Sequence, residues 1–133
     1  MNWAGGALMD HLTPTPADRE RMREISMGDE AFLRELIDLF LEDTPRQIEA
    51  LRQAVASQNI VGVHQGAHRL KGAGRNLGAQ PFSEVCRQIE TLGRKGDLAA
   101  ASALMPNLES EFSRLQDFLN HLPAKEPSQG AGP

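Results

Sequence analysis

This sequence has little cysteine, no excess of positive charge and no long apolar run. The single cysteine, Cys86, allows neither an intramolecular disulfide nor a cysteine-based zinc site within one chain, and it fits the reducing cytoplasm, where we expect the protein. The net charge of −4 argues against a nucleic-acid partner, because nucleic-acid binding draws on Lys and Arg. Nowhere do about 18 apolar residues follow one another, and the first residues lack a basic stretch, so we expect no membrane span and no export signal.

Length and composition are those of one folded domain. The 133 residues suffice for a single core, and apolar residues at 40% with charged residues at 24% are ordinary for a globular protein. Glycine and proline are concentrated at both ends of the chain. We therefore predict a flexible N-terminal tail over residues 1–15, one domain over residues 16–122 and a flexible C-terminal tail over residues 123–133.

The middle of the chain has the pattern of amphipathic helices. It is rich in Ala, Leu, Glu, Arg and Gln and lacks the alternation that is typical of strands. The breaks between the helices are short, which favours antiparallel neighbours. The sequence therefore predicts an all-α fold, namely an antiparallel four-helix bundle (up-down-up-down) with a short additional N-terminal helix.

Caps and helix breakers divide this pattern into five predicted helices. The first helix is expected over Ala17 to Ile25, and the second is expected to begin after its cap Asp29 and to be kinked or interrupted by Pro45 near Leu41. The third is expected over Asn59 to Leu77, and the fourth from Pro81 to a stop between Gly93 and Gly96. The fifth is expected to begin after its cap Asp97 and to be kinked by Pro106. Gly78 is expected to cap the third helix, whose predicted core stripe is Ile60, Val63, Ala67, Leu70 and Leu77.

The third predicted helix displays His68 to solvent. At about 100° per residue, the apolar stripe leaves His68 more than a right angle away from the core. Gly72 lies one turn further along the same face, with Gly74 close by, and each glycine costs a helix about 1 kcal/mol relative to alanine. Such a cost indicates a need for close approach by another protein. Lys71 can bend toward the same point and offer an ammonium to an anion.

These residue types suit the acceptance of a phosphoryl group. An imidazole that takes a phosphoryl group gains about two negative charges beside it, so the site needs a nearby cation and free access. Lys71 supplies the cation, and Gly72 supplies the access. A metal is the weaker interpretation, because His64 and His68 are four residues apart but no Glu-x-x-His pair accompanies them. We therefore predict no metal site.

Several motifs of this sequence resemble those of one family. They are Ala67-His68-Arg69-Leu70-Lys71-Gly72, then Asn76-Leu77-Gly78-Ala79, then Val85-Cys86 with Ile89-Glu90-Thr91-Leu92-Gly93-Arg94, and, before all of these, Phe40-Leu41-Glu42-Asp43-Thr44-Pro45. In this order and spacing they resemble the histidine-containing phosphotransfer (HPt) domains, and the resemblance covers residues 17–122. Ala73 and Gly74 stand where the family often has Ser or Ala, and they remain small.

The resemblance implies a phosphocarrier and not an independent enzyme. His68 would accept a phosphoryl group from a receiver domain of a response regulator or hybrid histidine kinase and pass it to another receiver, in a two-component phosphorelay. The sequence has no Walker-type loop for ATP. We expect no cofactor in this chain, Mg²⁺ on the partner receiver, and a monomer. His64, Gln65, Arg69 and Arg75 surround His68 on its helix and are expected to dock the partner.

Glu90 is expected beside His68. If the third and fourth helices form a hairpin that turns near Ala79, residues equally far from the turn face each other, and His68 and Glu90 are each eleven positions away. A carboxylate there would accept the Nδ1 proton of the imidazole and leave Nε2 as the nucleophile. The resemblance agrees, since HPt domains hold Glu or Gln at the matching position.

Other functions stay open at this point. One is a non-catalytic helical adaptor, and another is a helical-bundle metal-binding protein. A third is the dimerising phosphoacceptor domain of a sensor histidine kinase, in which an acidic residue and then Leu-Arg-Thr-Pro typically follow the histidine. The run Arg69-Leu70-Lys71-Gly72 does not fit that pattern.

Overall fold

The computed structural model describes residues 15–122, and within this range all regular structure is α-helical. The helices are α1 (Arg19–Ser26), α2 (Glu30–Ala56), α3 (Ile60–Asn76), α4 (Gln80–Lys95) and α5 (Leu98–Asn120). None of these helices combines the length and the apolar character needed to cross a lipid bilayer. The two tails predicted over residues 1–15 and 123–133 lie outside the described residues, apart from Thr15.

Four of the five helices begin at a side-chain cap. Asp18, Asp29, Asn59 and Asp97 each accept a hydrogen bond from a backbone N–H in the first turn of the helix that follows. The first helix therefore begins after Asp18, and its predicted start at Ala17 is wrong. The sequence already contained this signal, because an aspartate before a helical pattern is a strong N-cap.

Helices α2 to α5 form the predicted antiparallel four-helix bundle, and α1 packs on α2 and α3. Turns of two or three residues join consecutive helices, so neighbours in sequence are neighbours in space. Phe40, Phe82 and Phe112, from three different helices, meet in the core with ring centroids 6.0 to 6.2 Å apart. These contacts add aromatic packing to the burial of apolar surface. The predicted fold class is confirmed.

Two details of the helix pattern differ from expectation. Helix α2 continues through Pro45, so the interruption predicted near Leu41 does not occur. The proline removes one backbone donor, but Phe40 and Thr44 before it and Ile48 after it are all buried, and this packing holds the helix together. Helix α5 continues past Pro106 as predicted, and the kink at this residue stays a prediction. Ile60, placed in the predicted core stripe of α3, is 46% exposed because it is the first residue of the helix, at the end of the bundle.

The hairpin of α3 and α4 is closed by a tight turn. Gly78 adopts a left-handed φ of 66°, the conformation that glycine favours. The N–H of Gly78 donates to the carbonyl of Arg75, and the N–H of Ala79 donates to the carbonyl of Gly74. This pair of bonds is the Schellman arrangement, and it satisfies carbonyls at the end of α3. Pro81 then lies in the first turn of α4, where its missing N–H costs nothing.

Two glycines let α3 and α4 approach closely. A Cβ atom at Gly74 would lie 2.5 Å from Ser83 Oγ and 2.8 Å from Phe82 Cδ2. A Cβ atom at Gly93 would lie 2.8 Å from Val63 Cγ1. Gly74 is therefore required by packing inside the hairpin, and its predicted part in the approach of a partner is wrong. It is buried against α4 rather than displayed.

Replacing Gly74 or Gly72 of α3 with alanine distinguishes a glycine required for packing from one that is exposed to solvent. We expect Gly74→Ala to lower the free energy of unfolding by about 1–3 kcal/mol, because the added methyl overpacks against the Phe82 ring, which the aromatic contacts hold in place. Gly72→Ala is the matched control. Nothing lies within 4 Å of its added Cβ, so the gain in helix propensity should raise stability by up to about 1 kcal/mol. Urea denaturation measures both, and equal effects would contradict the packing role of Gly74.

Candidate functional site

His68 stands on the solvent-facing side of α3. Its side chain is 65% exposed, while Ala67 and Leu70 beside it are completely buried in the core. Gly72, one turn further along, is exposed, and an added Cβ would meet nothing within 4 Å. The imidazole is therefore fixed to a rigid helix and open to another molecule on its outer side.

Glu90 of α4 contacts His68 across the hairpin. Its carboxylate is almost completely buried, with 4% of the side chain exposed. One oxygen, Oε2, lies 2.7 Å from His68 Nδ1, and the other, Oε1, lies 2.7 Å from the Nζ atom of Lys71. The contact that the hairpin geometry predicted between positions 68 and 90 is present. Lys71 is itself 15% exposed, so in this structure its ammonium is directed to Glu90.

The charge of Glu90 is maintained by its neighbours. Burial is the largest single effect on its pKa and acts to raise it, because a carboxylate loses hydration inside the protein. The hydrogen bonds from Lys71 and His68, together with their positive charge, outweigh burial and hold the pKa of Glu90 below its usual value. Glu90 is therefore an anionic acceptor at neutral pH.

Arg94 has a role that was not predicted from the sequence. Its Nη2 atom lies 3.2 Å from Glu90 Oε2 and 3.0 Å from His64 Nε2, so Arg94 connects the two helices beside the carboxylate. Because a guanidinium can only donate, His64 accepts this bond at Nε2. The spacing of four residues between Glu90 and Arg94 on one helix was the available signal. It is an arrangement found on many exposed helices, and it acquires its importance only from the contact with His64.

The hydrogen bond to Glu90 sets the chemistry of the His68 ring. An ionised carboxylate only accepts, so Nδ1 carries the proton and donates it to Glu90 Oε2. In the neutral ring, Nε2 then keeps its lone pair. The arrangement provides an exposed nitrogen nucleophile whose tautomer is fixed by a buried anion.

The four residues expected to dock a partner are not equivalent. Gln65, Arg69 and Arg75 are exposed on α3. The His64 side chain is 34% exposed and turns toward α4, where it meets Arg94, with its ring stacked at 6.5 Å from that of His68. His64 therefore belongs to the network around Glu90 as well as to the border of the exposed face.

Metal and thiol chemistry are the remaining possibilities at this site. Over residues 15–122, no group of three or more His, Cys, Asp or Glu side chains is placed to hold a metal ion. Cys86 is completely buried in α4, and burial raises the pKa of its thiol to about 12. The thiol is therefore protonated at neutral pH and forms part of the core.

Comparison with known proteins identifies a family model and several relatives. The family model of the Hpt domain matches residues 35–118. The sensor protein GacS of Pseudomonas syringae pv. syringae is 29% identical over 110 residues, which make up 83% of this chain and 12% of that protein. Phosphotransferase RcsD of Escherichia coli (strain K12) is 27% identical over 84 residues, which make up 63% of this chain and 9% of that protein. The chain thus spans a small part of the length of these relatives.

A solved structure shares the fold. The crystal structure of histidine-containing phosphotransfer protein B (HptB) from Pseudomonas aeruginosa PAO1 matches with a TM-score of 0.75 and 24% sequence identity, and the match covers 88% of this chain and 97% of that chain. The likeness supports the helical bundle described above. Since the family match covers more than half of the sequence, this chain belongs to the Hpt domain family, whose members are phosphocarrier modules of phosphorelays and not catalytic enzymes.

Proposed function

We propose that His68 is the phosphoacceptor of this chain and that it relays a phosphoryl group between receiver domains of response regulators or hybrid histidine kinases. The observation that carries the proposal is the 2.7 Å bond between His68 Nδ1 and the buried carboxylate of Glu90. This bond orients the ring and leaves Nε2 on the exposed side. A histidine without such a partner would exchange between tautomers, and only one of them presents a lone pair at Nε2.

The transfer step uses the exposed lone pair. His68 Nε2 attacks the phosphorus of an aspartyl phosphate on the receiver, an N–P bond forms, and the P–O bond breaks to release the receiver's carboxylate. The second transfer is the reverse of this step with another receiver. Glu90 stabilises the positive charge that the ring carries once Nε2 is bonded to phosphorus. Mg²⁺ and the acidic groups that assist the reaction belong to the receiver.

Lys71 and Gly72 complete the site. The ammonium of Lys71 has three donors and uses one of them on Glu90 Oε1, so it can also attract the phosphoryl oxygens. Gly72 leaves room beside His68 for the receiver, which docks on the exposed residues of α3 with His64 at the border. We further propose that the carrier acts as a monomer in the reducing cytoplasm, which suits a chain whose single cysteine, Cys86, is a buried free thiol.

A helical adaptor without chemistry remains the contrasting function. It would bind a receiver but would never carry phosphate. The family match and the fixed tautomer of His68 favour transfer.

Replacement of His68 tests the acceptor directly. His68→Gln should abolish the acid-labile phosphate that the parent protein acquires from a phosphorylated receiver. Its free energy of unfolding should change by only about 0.5 kcal/mol, because the side chain is exposed and glutamine can still donate to Glu90. The matched control is His64→Gln, four residues away on α3, which should still accept phosphate. Phosphate on the His68→Gln protein would disprove the assignment.

Replacement of Glu90 tests whether the charge of its buried carboxylate stabilises the fold, measured as the free energy of unfolding at different pH values. The pKa of Glu90 is lowered in the folded state, so its stabilising effect is complete above the usual value of 4.5 and is lost as the pH falls through the lowered pKa. At pH 7, Glu90→Gln should lower the free energy of unfolding by about 1–3 kcal/mol, because the Lys71 ammonium loses its negatively charged partner. Below pH 4.5 the difference from the parent should shrink.

The control for this experiment is Glu84→Gln on the same helix. Glu84 is half exposed and paired with Arg87, so its loss should change stability by about 0.5 kcal/mol or less. Urea denaturation between pH 3 and pH 8 compares the three proteins. A constant difference between parent and Glu90→Gln across this range would show that the Glu90 charge contributes nothing.

Replacement of Gly72 tests access. Gly72→Gln improves helix propensity and meets no neighbour in the free protein, so the variant should melt at the same temperature or higher. Transfer from a receiver should nevertheless slow at least several-fold, since the new side chain occupies the clearance beside His68. Thermal melts and phosphotransfer rates measure the two effects. Unchanged transfer by Gly72→Gln would remove the argument for close approach at this position.

A further inference from the structure

The charge of α3 differs from that of the chain as a whole. The chain has a net charge of −4, yet α3 contains three basic residues, Arg69, Lys71 and Arg75, and no acidic residue. Lys71 is directed to Glu90 and is mostly buried. The positive charge that α3 shows to solvent therefore comes from its two arginines.

Elsewhere the arginines are mostly paired within their own helix. An acidic residue three or four positions away binds each of these arginines: Arg21, Arg23, Arg34, Arg46, Arg52, Arg87, Arg94 and Arg114. Within residues 15–122, no carboxylate lies within 4.0 Å of Arg69 or Arg75. The positions three and four away from these two hold only Gln, Gly, Ala and Lys, so α3 itself offers them no partner.

The two arginines both follow His68 on α3. Arg75 is seven residues after His68, which returns it to the same side of the helix about 10 Å further along the axis. Arg69 is the next residue after His68 and lies about 100° further around the helix. Glu84 of α4 feels the charge of Arg75, but it is bound by Arg87 at 2.6 Å. Both guanidinium groups are thus exposed and available to an external anion.

We propose that Arg69 and Arg75 recognise the receiver domain by charge, by binding carboxylates at the rim of its phosphorylation site, and so determine how fast a receiver finds His68. This inference rests on the proposed function and adds the chemistry of the partner surface. An aspartyl phosphate is anionic, and the groups that hold Mg²⁺ around it are carboxylates. Two unpaired guanidinium groups complement such a surface, and opposite charges across an interface raise the association rate more than the rate of the chemical step.

The experiment compares transfer kinetics at several salt concentrations. The probe is the isolated receiver domain that phosphorylates the parent protein fastest, loaded with phosphate from a small-molecule donor. The double variant Arg69→Gln/Arg75→Gln is compared with Arg23→Gln/Arg114→Gln. The second pair removes the same net charge from two exposed arginines on α1 and α5 that are paired with acidic neighbours.

At low salt, the second-order rate constant of Arg69→Gln/Arg75→Gln should fall by about 10-fold, and its dependence on salt should become flatter than that of the parent. The maximal rate at saturating receiver should stay within about twofold of the parent, because His68, Lys71 and Glu90 are intact. The control pair should behave like the parent.

Three results would overturn the inference. They are an unchanged rate constant and salt dependence in the α3 double variant, an equal loss in the control pair, and a fall in the maximal rate with no change at low receiver concentration. Failure of the proposed function looks different, because the parent protein itself would then take no phosphate from any receiver.

Discussion

The site depends on one buried carboxylate. Glu90 is an anion almost without access to water, which is costly unless donors surround it. Lys71 satisfies one oxygen, and His68 and Arg94 share the other. The same bonds that keep the carboxylate charged fix the tautomer of the exposed imidazole. Stability and chemistry are therefore linked, since any change that protonates or exposes Glu90 also releases His68.

Helix packing brings the carboxylate to the imidazole. The two residues are on different helices, and their 2.7 Å contact requires α3 and α4 to lie close together. Gly74 and Gly93 permit this approach, because a Cβ atom at either position would collide with the other helix. Mid-helix glycine costs helix propensity, and here the closer packing of the hairpin offsets that cost. The two glycines predicted to allow the approach of a partner thus differ in role. Gly72 is exposed to solvent beside His68, whereas Gly74 is buried and allows the close packing of α3 against α4.

Sequence reasoning recovered the helices and the His68–Glu90 contact because both follow from periodic rules. Helix caps, apolar spacing and the symmetry of a hairpin about its turn are properties of the chain itself. Features that depend on packing were not recovered. The cost of Pro45 is visible in the sequence, but the buried residues that compensate for it are not. Arg94 was visible as a member of a family motif and by its spacing from Glu90, but its contact with His64 was not, because that contact joins positions thirty residues apart on different helices.

The turn between α3 and α4 restricts how this chain can vary in evolution. Three residues, 77–79, set the register between His68 and Glu90. An inserted residue that lengthened α3 or α4 at this turn would rotate one side of the His68–Glu90 pair by about 100° relative to the turn and separate the carboxylate from the imidazole, although every side chain of the site would still be present. The turn over residues 57–59 joins α2 to α3, and within residues 15–122 no side-chain hydrogen bond or ion pair connects these two helices. Insertions and deletions among relatives should therefore accumulate at residues 57–59 and be excluded from residues 77–79. The length of the turn between α3 and α4 is then inherited together with the reactive histidine.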